Sequence, residues 1–230
     1  MFKKIHHKEI DSTHKYALRE LSHLQEGFFV ITADYQTAGI GRRGSSWSAG
    51  RKSSLLATFV FPIPKSCPTH NLAQLLALSN LHVLETLSFS PLFKWPNDLL
   101  LSNKKVSGVM GEVQNNMAIV STGININTDL ATLSQIDQPC TSLFLESGYL
   151  FDLQKVEEKI ISHFTSYLSY FLKEGFSSFL ADLDSHLAFK GKQISIEGHS
   201  GILKGIDSFG RLIVETNAGE KTFSSGTLSI

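Results

Sequence analysis

Between Phe93 and Asn125 the chain reads as extended runs joined by turns too short to hold another element. Phe93-Lys94-Trp95 ends at Pro96-Asn97-Asp98, and Leu99 to Leu101 resumes extended structure. Ser102-Asn103-Lys104 turns, Lys105 to Gln114 returns, Asn115-Asn116 turns again, and Met117 to Asn125 follows. Pro, Asn, Asp and Ser favour backbone reversal, and turns this short join only antiparallel neighbours. The stretch is therefore a β-meander, a slab of sheet that the remaining chain must cover. It sets Asp98 and Lys105 near the ends of neighbouring strands. A carboxylate and a lysine so placed can form a structural ion pair or face a ligand together, and spacing alone does not choose. Gly108 and Gly123 fall inside strand-like runs, where glycine marks either a bulge or close approach to the backbone.

A second informative stretch lies upstream. Phe28 to Tyr35 and Leu55 to Phe61 read as strands, and between them runs Gly39-Ile40-Gly41-Arg42-Arg43-Gly44-Ser45-Ser46-Trp47. Its glycines let backbone N–H groups come close to a ligand and adopt positive φ. Arg42 and Arg43 add forked donors suited to phosphate or carboxylate, and Trp47 adds a flat apolar face. Those parts suit a nucleotide or another anion. The spacing is not that of a dinucleotide-binding fingerprint, and no Gly-Lys-Ser/Thr ending makes it a Walker-type phosphate loop. Taken alone, the loop reads equally as a ligand cradle and as a basic surface loop.

The remaining chain supplies cover. Residues 2–10 read as a short strand entering Asp11-Ser12-Thr13-His14. Ser12 or Thr13 can cap a helix marked by Ala17, Leu18, Leu21 and Leu24, and either hydroxyl can also face a ligand. Pro62, Pro64 and Pro68 break the chain. Asn71 can cap an apolar helix over roughly residues 72–88. Residues 128–151 are loop-rich. From Asp152, the spacing of Leu153, Val156, Ile160, Phe164, Leu168 and Phe171 marks an amphipathic helix facing a core, and a shorter helix covers roughly Ser177–Leu187. Beyond about residue 188, glycines alternate with the short runs Gln193–Ile196, Gly201–Ile206, Leu212–Glu215 and Lys221–Phe223, the pattern of a small β-barrel. About 43 residues is near the lower limit for independent folding, so this unit leans on the larger one.

Composition narrows the class. Of 230 residues, 42% are hydrophobic and 18% charged, which fits a packed globular protein and excludes a largely disordered one. Acidic and basic residues number 21 each, so any anion site is local and bulk binding to a polyanion such as DNA is not expected. Cys67 and Cys140 lie far apart, forming no metal-ligand pattern, and a reducing compartment fits. The start, Met1-Phe2-Lys3-Lys4, has no apolar leader, and no apolar run approaches the ~20 residues of a membrane span. A soluble cytoplasmic protein is the expectation.

Five separated stretches, in order, resemble the signature of biotin–protein ligases. They are Asp11-Ser12-Thr13-His14, Gln36-Thr37-Ala38-Gly39 on to Trp47, Lys94-Trp95-Pro96-Asn97-Asp98, Lys105-Val106-Ser107-Gly108, and Gly123-Ile124-Asn125-Ile126-Asn127. The resemblance covers essentially the whole chain, and Lys94-Trp95-Pro96-Asn97-Asp98 is its most specific part. The fold it implies is an α/β catalytic domain of the α+β type over residues 1–187. That domain has a mixed sheet flanked by helices and is like class II aminoacyl-tRNA synthetases and biotin–lipoate ligases. An SH3-like C-terminal barrel over residues 188–230 follows. The implied reaction joins biotin to ATP, with Mg2+, as biotinyl-5′-AMP, and then passes biotin to a lysine of a biotin carboxyl carrier protein domain. An enzyme without repressor function is expected, and a homodimer is one assembly compatible with it.

The same resemblance implies roles. Ser12, Thr13, His14 and Gln36 would meet the biotin head group, with Gly39, Ile40, Gly41, Arg42, Gly108 and Gly123 around it. Arg42, Lys105 and Asp98 would serve the chemistry, with Lys105 holding the carboxylate and then the acyl phosphate. Arg42, Arg43, Trp47, Asn97, Lys105 and Asn125 would bind the nucleotide, Trp47 against adenine. No residue is assigned to a metal. This chain departs from the family at Ile40, often basic there, at Ser121, where glycine is common, and at His14, in the place of Asn. No arginine stands near Ser224 to reach ATP. The nearest rival is a lipoate or octanoyl ligase or transferase of related fold; a non-enzymatic scaffold with a binding barrel is the other.

Overall fold

The computed structural model describes residues 2–65, 67 and 69–230; Met1, Ser66 and the chain break expected at Pro68 lie outside them. β1 (Lys3–His7) is shorter than the extended run read over residues 2–10. The chain leaves it through Ser12, whose hydroxyl accepts from Lys15 N and caps α1 (Thr13–Arg19). Leu21 and Leu24 fall beyond that helix, in and after a short 3₁₀ turn, yet reach the same apolar cluster as Ala17. β2 (Phe29–Ala33) then pairs with β1 in parallel, which a helical crossover permits and a tight turn does not. β3 (Ser54–Pro62) runs antiparallel to β2.

α2 (Leu72–Glu85) follows. It is three residues shorter than the expected 72–88, and Ser88, at φ 67°, turns the chain away. Asn71 stands at its cap position but does not cap it. β4 (Leu92–Lys94), β5 (Asp98–Leu101), β6 (Lys104–Gln114) and β7 (Met117–Asn125) form the expected meander. Among the described residues the main sheet has seven strands in the order β1-β2-β3-β7-β6-β5-β4. The loop-rich reading of residues 128–151 missed two short helices, α3 (Leu130–Leu133) and α4 (Leu143–Ser147), capped by Asp129 and Ser142. α5 (Leu153–Glu174) is capped by Asp152, which accepts from Gln154 N at 3.0 Å and Lys155 N at 3.2 Å. α6 is Ser177–Ser185.

Alternation along β3 divides the two faces of the sheet. Leu55, Ala57, Phe59 and Phe61 join residues of α2 and α5 in the main core. Val60 faces the opposite side with Ala17 and Ile119. On that side, apolar packing gives way near the N-terminus of α1 to the buried hydroxyls of Thr58 and Ser121. An unpartnered hydroxyl there would cost about 1–3 kcal/mol, so this polar island must be wired together.

The C-terminal region forms a separate antiparallel sheet of β8 (Gln193–Ile196), β9 (His199–Ile206), β10 (Leu212–Thr216), β11 (Gly219–Phe223) and β12 (Leu228–Ser229), ordered β11-β10-β9-β8-β12. The strand β12 was not anticipated. This sheet leans on the larger one through the β9–β10 turn. The carbonyl of Gly210 accepts from Trp95 Nε1 at 3.0 Å and Gln74 Nε2 at 2.7 Å, and the carbonyl of Phe209 accepts from Asn71 Nδ2 at 3.0 Å. That last bond is what Asn71 does instead of capping α2. Gly210 sits at φ 75°, and a Cβ there would run into the Asn71 and Gln74 side chains.

Candidate active site

The polar island resolves into a chain of hydrogen bonds. Gln36 Oε1 accepts from Thr13 N at 2.7 Å and from Thr13 Oγ1 at 2.9 Å. Thr58 Oγ1 donates to Thr13 Oγ1 at 2.9 Å and meets Ser121 Oγ at 2.7 Å. Ser121 Oγ meets His14 Nδ1 at 2.7 Å, and His14 Nε2 lies 3.3 Å from Glu112 Oε1. His14 is 2% exposed. Burial pushes its pKa below the ordinary histidine value, and the Glu112 carboxylate opposes that shift. The two departures His14 and Ser121 are thus bonded to each other. The wall at Ser121 is a hydrogen-bonding group and not merely added bulk.

The glycine–arginine stretch is a closed loop. Trp47 N donates to Gly39 O at 3.0 Å and Gly41 N to Ser45 O at 2.7 Å. Arg42–Gly44 makes one 3₁₀ turn, with Arg43 at φ 53°. Arg42 Nη1 donates to Asn97 Oδ1 at 2.7 Å, and Asn97 Nδ2 donates in turn to Val109 O at 2.6 Å. Asn97 therefore ties the loop to β6, and the chain reaches it through a cis Trp95–Pro96 bond. Burial lowers the pKa of Arg42, neighbouring Arg43 adds to that, and Asp98 opposes it. Lys105 Nζ pairs with Asp98 Oδ1 at 2.9 Å, both largely buried, and lies 5.8 Å from the centre of the Trp47 ring.

Trp47 explains the two strand glycines. Gly108 and Gly123 are directly paired across β6 and β7, and the indole lies over both. A Cβ on Gly108 would stand 3.2 Å from Trp47 Cζ3 and 3.0 Å from Lys105 Cε, and one on Gly123 would overlap the ring itself. Close approach, not a bulge, is what these glycines permit.

Two cavities flank this indole. One, of about 390 Å3, is lined by every residue singled out from the sequence except Gly39 and Asn125. Gly39 is buried within the loop, where a Cβ would stand 2.5 Å from the Trp47 carbonyl oxygen. The second cavity, of about 490 Å3, shares Trp47, Lys105 and Gln138 and adds Asn125, Asp137 and Cys140. Asn125 Nδ2 donates to Thr141 O at 3.1 Å, while its Oδ1 and Trp47 Nε1 are buried without a partner. Arg43 also lines the first cavity. Its guanidinium is taken up by Glu197 at 3.1 Å and Thr227 at 3.4 Å. Sequence reasoning missed Thr58 and Glu112. Thr58 carried a faint signal as the one hydroxyl inside Leu55–Phe61; Glu112 carried none.

Arranged this way, one crevice offers neutral hydrogen-bonding groups at one end, Arg42 and Lys105 at the other, and a polar cavity beyond Trp47. It can hold a carboxylate-bearing molecule against a nucleotide. Among the described residues, no helix is long and apolar enough to cross a membrane. Residues 7–129 match the biotin/lipoate A/B protein ligase family, and residues 191–230 match the biotin protein ligase C-terminal domain. The bifunctional ligase/repressor BirA of Salmonella typhimurium is 28% identical over 96% of this chain and 72% of its own length. The biotin–[acetyl-CoA-carboxylase] ligase of Paracoccus denitrificans is 28% identical over 92% of this chain and 93% of its own. The biotin protein ligase of Aquifex aeolicus, solved in complex with biotin and ATP, superposes with a TM-score of 0.88 at 28% identity, covering 100% of this chain and 98% of that one. With the family matched over more than half its length and its glycine–arginine loop, ion pair and paired glycines gathered in one crevice, this chain belongs to the biotin/lipoate A/B protein ligase family.

Proposed function

We propose that the protein is a biotin–protein ligase, forming biotinyl-5′-AMP from biotin and ATP and then transferring biotin to a lysine of a biotin carboxyl carrier protein. The observation that carries this reading is the crevice itself. Its neutral end suits a cyclic urea, which has two N–H donors and a carbonyl, and its charged end suits a carboxylate meeting a phosphate.

Biotin enters with its head group against Thr13, Gln36 and Ser121 and its carboxylate toward Lys105 and Arg42. Two anions held about 4 Å apart repel by roughly 4 kcal/mol at an effective dielectric constant near 20. Arg42 and Lys105 offset that repulsion as the carboxylate oxygen attacks the α-phosphate, and they stabilise the charge that gathers on the phosphoryl oxygens. Adenine enters the second cavity, where the orphaned Asn125 Oδ1 accepts an exocyclic N–H and the Trp47 ring covers its face. The loop keeps water from the mixed anhydride. In the second step the carrier amine attacks the acyl carbon, AMP leaves with the bonding pair, and Asp98 takes the amine proton or holds Lys105 toward the acyl phosphate. Magnesium enters with the ATP as part of the substrate. Among the described residues no three His, Cys, Asp or Glu side chains converge on one point, and Asp98, already paired with Lys105, is the one carboxylate of the first cavity. That donor set does not fit a resident ion.

The finer architecture belongs to the same reading: a class II synthetase-like catalytic domain over residues 1–187 and an SH3-like barrel over residues 188–230, to which the small antiparallel sheet is suited. A lipoyl or octanoyl group carries no N–H donor or carbonyl at that end, so it forgoes the hydrogen bonds that a cyclic urea makes with the hydroxyls and amide of the neutral end, about 0.5–1.5 kcal/mol each. Biotin-dependent exchange of pyrophosphate into ATP, followed by transfer to a purified carrier domain, tests the reading. Exchange supported by lipoate or octanoate and not by biotin would overturn it.

A further inference from the structure

The hydrogen bonds of the neutral end have a forced direction. Thr13 N can only donate, so the Gln36 atom it meets is the oxygen, and Thr13 Oγ1 must also donate to it. The hydroxyl hydrogen of Thr58 goes to Thr13. Ser121 must therefore donate to Thr58, which leaves Ser121 only an acceptor for His14, and His14 Nδ1 must carry a hydrogen. The far ring nitrogen, Nε2, then faces the Glu112 carboxylate at 3.3 Å. A neutral ring protonated at Nδ1 would present a bare lone pair to an anion. Beyond the backbone bond, the chain has five links but only four hydrogens from Thr13, Thr58, Ser121 and a neutral His14. One more proton completes it.

We infer that His14 and Glu112 hold that proton between them, and that it fixes the Ser121 hydroxyl in the place where it meets the biotin head group. With the proton present, every hydroxyl hydrogen points along the chain toward Gln36. Thr13 and Ser121, which both line the cavity, then turn only lone pairs to the ligand, and lone pairs match the N–H groups of a cyclic urea. Without it, one link must open. His14 shifts its hydrogen to Nε2, Ser121 turns its hydrogen to Nδ1, and the Thr58 and Ser121 oxygens face each other with no hydrogen between them. The cavity wall moves at Ser121. The inference rests on the biotin reading, and it makes His14 and Glu112 positioning residues acting through Ser121.

Glu112 is the ionisable group set against His14. The partner of His14 on β7, Ser121, is neutral, and so is Thr58 of β3, which Ser121 meets in turn. Lys94, Arg42, Arg43, Asp98 and Lys105 also line the cavity, and none pairs with His14. Since binding favours the protonated pair, affinity is fully present below the pair's pKa and is lost as pH rises through it. Burial of the ring places that loss on the acid side of the ordinary histidine range.

The test is biotin affinity by calorimetry from about pH 5.5 to 8.5, in buffers of different ionisation enthalpy that report proton uptake. The protein is expected to lose about tenfold in affinity across its titration, the worth of one hydrogen bond, and to take up a proton on binding above the midpoint. Glu112 is half exposed, so Glu112→Gln keeps the fold. Its amide N–H supplies the missing hydrogen to Nε2 without titrating, so its affinity should be flat and equal to the low-pH value. Nitrogen chemical shifts of His14, identified by their loss in His14→Asn, should show both ring nitrogens protonated at the acid end. Flat wild-type affinity without proton uptake, or a Glu112→Gln variant with the wild-type slope, would overturn the inference while leaving the function intact. No biotin binding at any pH would overturn both.

Discussion

The two ends of the crevice follow different rules. At the neutral end, Gln36, Thr13, Thr58, Ser121 and His14 partner one another and need no ligand to be satisfied. At the charged end, Arg42 leans on Asn97 and Lys105 on Asp98, while Trp47 Nε1 and Asn125 Oδ1 are buried without partners. The neutral network is built by folding and has its pattern in place before any ligand arrives. The charged end is incomplete, and on the proposed reading a nucleotide finishes it. That reading places discrimination among acids in the folded hydroxyl network and commitment to reaction at the charged end.

The sharpest way to break this contrast is to remove a cation. Lys105→Ala should lower biotin-dependent pyrophosphate exchange by about a thousandfold, with biotin affinity changed far less. Equal losses in both would show that the charged end also binds the free acid. Next in size, Asp98→Asn should slow transfer from preformed adenylate to the carrier by about a hundredfold; unchanged transfer removes the proton-accepting role. At the neutral end, Thr58→Val severs the hydroxyl chain without opening a cavity. It should cost about 1–2 kcal/mol in stability, read by denaturant unfolding, and weaken biotin about tenfold with exchange at saturating biotin nearly intact. Smallest is Glu197→Ala. Its ion pair with Arg43 is half exposed on both sides, so the loss should stay below about 1 kcal/mol. A freed Arg43 that then lowered the KM for ATP would show that the charged end draws on it after all.

How much of this was legible in the sequence also differs between the ends. The meander was, because Pro96-Asn97-Asp98 and Asn115-Asn116 act locally. So were Gly108 and Gly123, although only Trp47 decides between a bulge and close approach. Thr58 and Glu112 were hidden because their role depends on contacts across 45 positions to Thr13 and from β6 to His14. The direction of Arg43 was hidden too, since its partner Glu197 is 154 positions away. The helices α3 and α4 have four and five residues, too few for a periodic signal.

The seating of the β9–β10 turn on Trp95 carries a last consequence. The indole that precedes Pro96-Asn97-Asp98 is 1% exposed, and its one polar hydrogen ends on Gly210. Excising the C-terminal forty residues would not merely uncover a doorway. It would strand that indole donor, along with the amide of Gln74, and slacken the turn from which Asn97 grips Arg42. The small sheet is both a buttress behind the hearth and, through Gly226, Thr227 and Leu228, a part of its wall, and its removal should cripple the chemistry there.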